Sequence, residues 1–472
     1  MEAFMKSRGK TFFIFVIFAF AVLAAKEKGA FEFPRTPQGK RAAAYFAAFN
    51  AGSDSAMRAF MSKNFSSATL KRDPLEQRLA RFRGFKQKAR TLKPEKLLRG
   101  QGETVSFLVR DGQGELLEFT FQFEKGENAK IASIMGAPVN PEDVADLTGP
   151  PLSREEVLAR VRSALDERSQ ADLFSGVMLL AQDDQVVLHE ARGLASVEHQ
   201  ATNRLDTRFN LGSINKLFTR VAIGQLAEKG KLSLEDKIEK FLPDYPNREA
   251  AQKVTLRHLL DMSSGIGDFF GDKYQQMPKD RIRTLPDYLS LFAAEPLLFQ
   301  PGSSRRYSNG GYIVLGLIVE KVSGQSYFDY VRDHVYIPAG MTATGHLEVD
   351  IPTANVASGY TRNWDESDHE KEPRRSNIYT RPARGSSAGG GYSTVMDLFK
   401  FARALRAGKL LGPLGIEWFA GPQAYAGGAP GINGELDMDP LPGWTVVVLG
   451  NTDPPAASSL AQKISVLLRH LR

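Results

Sequence analysis

The sequence contains no cysteine. That excludes disulfides, thiolate zinc sites, a cysteine nucleophile and the acylated cysteine of a bacterial lipoprotein. Histidine is sparse. The seven, at His189, His199, His258, His334, His346, His369 and His470, show no spacing of the His-Glu-x-x-His kind, so neither a metal nor a cofactor is expected. His258 falls among Leu256, Leu259 and Leu260 at a predicted helix start and reads as a structural histidine. A large charge excess is missing too. The formal charge is +7, of which the first 25 residues hold +2 through Lys6, Arg8 and Lys10 against Glu2, leaving about +5 for the remainder. No basic helix with interleaved aromatics is present, so nucleic acid is not an expected partner.

Long apolar runs are absent except at the amino terminus. There a basic stretch precedes the apolar run Thr11 to Ala25, with small residues at Ala21, Ala24 and Ala25. The pattern is that of a secretory signal peptide over residues 1–25, cleaved near Ala24 or Ala25. Its apolar run is short against the roughly 20 residues a bilayer span needs. The expectation is an exported protein, periplasmic or extracellular, that meets the membrane only through this segment.

With 472 residues, 42% of them hydrophobic and 24% charged, the chain has the composition of a folded protein with two or three domains at roughly 100–200 residues each. The stretch 33–137 reads as a small α+β domain. Lys40 to Met61 has helical spacing, Thr104 to Leu108 and Leu116 to Phe123 alternate like strands, and Asp111-Gly112-Gln113-Gly114 makes the turn between them. Helices followed by a curved antiparallel sheet resemble the nuclear-transport-factor-like cone fold. With no clustered His, Asp and Glu, this domain reads as a packing or tethering module. Prolines and a glycine over 138–152 mark a linker, and Ser153-Arg154-Glu155-Glu156 marks a helix start.

The second domain, 153–472, opens with a helix to about Arg168 and a hairpin at Val177 to Ala181 and Val186 to Glu190. It closes with a β-branched strand, Thr445 to Leu449, and a helix from Ala456 to Leu471. Strands from both ends of the domain must pair around a mostly helical insertion. The expected fold class is therefore α+β, an antiparallel sheet flanked by helices, with the site at the junction.

Chemistry concentrates in three elements. In Phe209-Asn210-Leu211-Gly212-Ser213-Ile214-Asn215-Lys216, a serine and a lysine stand one helical turn apart, so that an amine can reach the hydroxyl it must deprotonate. The helix start favours an alkoxide at Ser213, while burial and the same field bias Lys216 toward the neutral amine. In Phe299 to Asn309, Tyr307 and Asn309 point the same way on an extended loop; the phenol can relay a proton and the amide can hold a substrate carbonyl or the lysine. In the glycine-rich run Tyr425 to Gly434, an edge strand can bring a backbone N–H to an oxyanion, a donor worth about 2.7–4 kcal/mol.

In this order and spacing, the residues resemble the serine β-lactamase and penicillin-binding-protein superfamily, in particular its class C-like branch of D-aminopeptidases, DD-peptidases and esterases. The resemblance covers roughly Leu173 to Leu471 and extends to Val254 to Leu260 with Ser263-Ser264-Gly265, Pro338 to Met341, and Gly389 to Ser393. It implies a β-lactamase/transpeptidase-like fold, Ser213 as the acylated nucleophile, Lys216 as its base and Tyr307 as the catalytic tyrosine. Asn309, Tyr425, Gly427 and Gly428 become substrate-binding residues, with an oxyanion hole from the N–H groups of Ser213 and Gly428.

One departure stands out. The third motif of the family opens with Lys or His, whereas this chain has Tyr425, which brings no charge to a substrate carboxylate at neutral pH. The span from Phe401 to Tyr425 is also short, so that a strand before the motif is expected to be missing or distorted. The sequence thus implies an exported serine hydrolase acting on an amide, lactam or ester of a small molecule or peptide. Its alternative is a catalytically weakened binding protein for cell-wall peptides. Gly385-Ser386-Ser387-Ala388-Gly389 matches the Gly-x-Ser-x-Gly nucleophile elbow, but polar, proline-bearing residues precede it, and it reads as a turn lining the main site. Oligomeric state is not legible.

Overall fold

The computed structural model describes residues 31–72, 74–100, 103–124, 126, 129–139, 143–363, 372–416, 423–438, 441 and 443–471. The expected signal segment, 1–25, lies outside the described residues. The chain divides into two compact units, one ending at Val139 and the other running from Asn140. Among the described residues no helix is long and apolar enough to cross a membrane.

The first unit begins with α1 (Pro37–Ala51), α2 (Asp54–Asn64) and α3 (Leu75–Ala89). Thr36 caps α1 by accepting from the Gly39 N–H at 3.1 Å, and Pro37 fits the first turn, where its missing N–H leaves no bond unmade. Four strands follow as a meander: β1 (Leu92–Arg99), β2 (Thr104–Asp111), β3 (Leu116–Phe123) and β4 (Ile131–Pro138), all antiparallel neighbours. The core is built from phenylalanine. The ring of Phe46 lies edge-on to Phe107, Phe119 and Phe121 at centroid distances of 5.7, 5.8 and 5.7 Å, a geometry that aromatic quadrupoles favour. These rings form the core between the helices and one face of the sheet.

The second unit runs through α4 (Arg154–Gln170), β5 (Gly176–Gln182), β6 (Gln185–Arg192), α5 (Lys216–Glu228), α6 (Asn309–Ser323), α7 (Val395–Arg406), β7 (Gln423–Ala429), β8 (Ile432–Met438), β9 (Trp444–Gly450) and α8 (Ala456–Leu468). A capping box starts α4: the Ser153 hydroxyl accepts from the Glu156 N–H, and the Glu156 carboxylate accepts from the Ser153 N–H. The five strands form one antiparallel sheet in the order β7-β8-β9-β5-β6. Val177, Leu179, Val447 and Leu449 face the large core shared with α5, α6 and α7. Met178, Leu180, Val446 and Val448 face a second core under α4 and α8. Burial on both faces explains why β9 is an unbroken apolar run rather than an alternating one.

Among the described residues the sheet ends at β7, with the third motif on that edge. The closing helix stops at Leu468, three residues before the expected end.

Candidate active site

Ser213 stands on a one-turn 3-10 helix, Gly212–Asn215, that runs directly into α5. The tight turn matters because side chains three apart nearly eclipse in 3-10 geometry. It stacks Lys216 against Ser213, with Nζ 3.1 Å from Oγ. Gly212 carries a left-handed φ of 48°, and a Cβ there would stand 2.9 Å from the Gly428 nitrogen on β7. Only glycine permits both the turn and that approach. A two-residue strand, Phe209–Asn210, pairs with Tyr392–Ser393, and the Leu211 N–H donates to the Gly391 carbonyl at 2.7 Å, fixing the turn from the other side.

The amine of Lys216 is buried. It donates to Asn309 Oδ1 at 2.6 Å and to the Ala388 carbonyl at 2.5 Å. Burial pulls its pKa down to about 7, opposed by the nearby Asp268 carboxylate. A neutral amine has two hydrogens, and two acceptors take them. The remaining lone pair faces Ser213 Oγ, the arrangement a general base requires.

Tyr307 completes the group. Its hydroxyl donates to Ser213 Oγ at 2.6 Å, although the residue is 53% exposed overall. Burial of the hydroxyl end raises its pKa, the bond to Ser213 lowers it, and Asp268 raises it further. The phenol therefore keeps its proton at neutral pH and serves as a donor, leaving Lys216 as the better base.

Asp268 was not singled out from the sequence. Its Oδ2 accepts from both the Asn309 backbone N–H, at 3.2 Å, and the Asn309 side-chain amide, at 2.7 Å. With Nδ2 held there, Oδ1 of Asn309 must face Lys216. The carboxylate thus sets the amide's orientation and adds negative potential beside the lysine.

A cavity of about 350 Å³ opens over Ser213, lined by Ser213, Tyr307, Asn309 and Gly428 among others. Phe269, Phe270, Tyr274 and Tyr288 build an aromatic wall. Gly427 backs this lining: a Cβ on it would fall 2.0 Å from the Leu211 carbonyl oxygen and 3.1 Å from the Ser213 nitrogen. The strand therefore presses its backbone against the nucleophile turn. Tyr425 is placed differently. It is half-buried against the large core, its pKa pushed up to about 12 by burial and drawn back by Arg220. It shares a strand face with Gly427, lies close enough to Tyr312 to influence it electrostatically, and is not among the residues that line the cavity.

The Gly385–Gly389 run lines the cavity as a turn. Ser387 is fully buried and its hydroxyl donates to the Tyr312 carbonyl at 2.8 Å, so it is no elbow nucleophile. His258 closes a capping box with Thr255, accepting that residue's N–H at Nδ1. Among the described residues no group of His, Asp and Glu could hold a metal ion.

The sequence profile of the family described as Beta-lactamase matches residues 161–468. A penicillin-binding protein of Bacillus subtilis (strain 168) is 30% identical over 262 residues, which is 54% of this chain and 56% of that protein. The chain thus spans little more than half the length of that relative. A penicillin-binding protein from Bacillus halodurans has a solved structure that superposes with a TM-score of 0.57 at 30% identity, covering 63% of this chain and 96% of that one. The octameric penicillin-binding protein homologue from Pyrococcus abyssi gives a TM-score of 0.57 at 25% identity over 66% of this chain and 77% of its own.

Proposed function

The chain belongs to the Beta-lactamase family, and on that premise we propose that it is a serine hydrolase working through an acyl-enzyme on an amide, lactam or ester carbonyl. One observation carries the reading: the Ser213 hydroxyl lies within hydrogen-bond reach of both a buried amine and a phenol, at 3.1 and 2.6 Å.

The chemistry follows from these atoms. Ser213 Oγ passes its proton to the Lys216 lone pair as it bonds to the substrate's carbonyl carbon. The carbonyl oxygen takes up the electron pair and is met by the N–H groups of Ser213 and Gly428. Collapse expels an alcohol or amine, which receives a proton through Tyr307. Water then attacks the Ser213 ester with Lys216 again taking the proton; the bond to Ser213 Oγ breaks, Lys216 returns the proton to that oxygen, and the freed acid leaves. No metal or cofactor enters any step.

Incubation with a fluorophosphonate and with a fluorescent penicillin tests the reading. A covalent adduct on Ser213 that disappears in Ser213→Ala is expected with at least one probe. A folded protein that takes neither label would overturn the proposal in favour of peptide binding without turnover. We also propose that the protein acts outside the cytoplasm, on the strength of the basic-then-apolar segment 1–25. Intact-mass spectrometry of the protein recovered from the expressing cells reads this, since a mature chain should begin near Ala25 or Lys26, and an intact Met1 contradicts export by cleavage.

The lysine also sets a pH dependence. Its neutral form is the active one, so activity should rise with pH through about 7 as Lys216 loses its proton. Asp268 holds that value up. In Asp268→Asn the rising limb should therefore move to lower pH, while kcat falls roughly tenfold as the Asn309 amide loses its charged acceptor. A limb that stays in place, or moves upward, contradicts this coupling.

A further inference from the structure

Ser386, Ser387 and Ala388 are buried in a turn against the nucleophile helix, where their carbonyls must find partners within the protein. Three side chains of one helical stretch supply them. The Asn215 amide donates to the Ser386 carbonyl at 2.9 Å, the Thr219 hydroxyl to the Ser387 carbonyl at 2.7 Å, and the Lys216 amine to the Ala388 carbonyl at 2.5 Å. Asn215 and Thr219 stand four residues apart, on one face of the helix, and both are fully buried. Thr219 has one proton to give, and Ser387 takes it. The second contact of its hydroxyl, with the Tyr327 hydroxyl at 2.7 Å, therefore has Tyr327 as donor. From the other side the Ser387 hydroxyl donates to the Tyr312 carbonyl on α6 at 2.8 Å. The last carbonyl of the three is one of the two acceptors that occupy the hydrogens of Lys216, so its place is set by bonds made one and two residues earlier in the turn.

We propose that Thr219 and Asn215 are positioning residues for the general base: they clamp the Ser387 and Ser386 carbonyls, which holds the Ala388 carbonyl on the Lys216 amine and keeps the amine's lone pair on Ser213. This rests on the reading of Lys216 as base and gives work to two side chains whose types the three motifs leave open. A purely structural role for Thr219, as partner to one buried carbonyl, predicts lost stability with an unaltered base. The clamp predicts an altered base.

Thr219→Val tests it, because valine keeps the shape and removes the hydroxyl. With the Ala388 carbonyl displaced, kcat on a p-nitrophenyl ester should fall about 10- to 100-fold, with KM within about threefold. A carbonyl acceptor favours the charged amine, so its withdrawal should also move the rising limb of the pH profile to lower pH. The other titratable groups about the amine, Asp268 and the rings of Tyr307 and Tyr312 at 4.8 and 5.5 Å, are unchanged in this variant. Thr219→Ser should restore both rate and limb. Asn215→Ala should act in the same direction but less, since the Ser386 carbonyl keeps the Gly389 N–H at 3.2 Å. Tyr327→Phe deletes a hydroxyl from the same buried cluster and leaves all three carbonyl contacts in place, so its effect on the limb should be the smallest. A Thr219→Val limb and kcat within twofold of the parent, no recovery in Thr219→Ser, or an equal shift in Tyr327→Phe overturns the clamp. Titration of Lys216 in Ser213→Ala protein labelled with 13C at the lysine ε-carbons needs no turnover, the signal being assigned by its loss in Lys216→Ala. Thr219→Val in that background should lower the midpoint. An unmoved midpoint overturns the clamp even if Ser213 is labelled by the covalent probes. A lowered midpoint that Thr219→Ser restores upholds it even if Ser213 proves unreactive.

Discussion

Lys216→Ala is expected to lose on the order of a hundredfold to ten-thousandfold in kcat while still folding, the range typical for removal of a positioned general base. The size follows from how few alternatives the site offers. Ser213 Oγ has two polar neighbours, the amine at 3.1 Å and the Tyr307 hydroxyl at 2.6 Å. Burial raises the phenol's pKa and lowers the amine's to about 7. Near neutral pH the amine can accept a proton and the phenol cannot readily do so. Alanine at 216 also leaves Asn309 Oδ1 and the Ala388 carbonyl without their donor, so substrate affinity is expected to change less than turnover. Steady-state kinetics on a turned-over ester, with labelling of Ser213 as a parallel readout, decide the matter. Activity within tenfold of wild type would transfer the role of base to Tyr307.

Gly427→Ala is the second large effect. The added methyl would lie 2.0 Å from the Leu211 oxygen, well inside any real carbon–oxygen contact, and both partners are backbone. Neither can swing away as a side chain would. Strand β7 is at the sheet edge and bonded on one side only, to β8, so it should yield by moving outward. That displaces the Gly428 N–H from the oxyanion position, and loss of one such donor lowers kcat about 10²- to 10³-fold. Ala426→Ser on the same strand points to solvent and should leave both kcat and labelling close to wild type. Equal rates for Gly427→Ala and the parent protein would show that β7 does not deliver an oxyanion donor.

Much of the catalytic unit could be read from its residues because the relevant signals are local. The spacing of Ser213 and Lys216 lies within one turn, that of Tyr307 and Asn309 within one extended step, and the β-branched composition of β9 marks a strand buried on both faces. What escaped depends on groups distant in sequence. Asp268 lies 41 residues before Asn309 in a loop with no periodicity, and nothing in Gly265 to Phe270 announces which amide it will hold. Strand β1 contains Lys93, Pro94 and Lys96 and is paired on one side only, with register shifts. Its charges and proline suit an edge, but they hide the strand from an alternation test. Tyr425 could be named as a departure from sequence, yet its partial burial against the large core depends on how β7 packs, which composition does not encode.

The central pairing of the second unit joins β5, near its beginning, to β9, near its end, with Gly176 opposite Gly450 and Gln182 opposite Trp444. A ribosome therefore delivers the nucleophile long before the strands that frame it. Until β7, β8 and β9 have emerged, Ser213 has neither its opposing wall nor a finished sheet beneath its helix. Such high contact order slows assembly, and it means that an incomplete chain lacks the Gly428 N–H opposite Ser213 and the central strand that supports its helix.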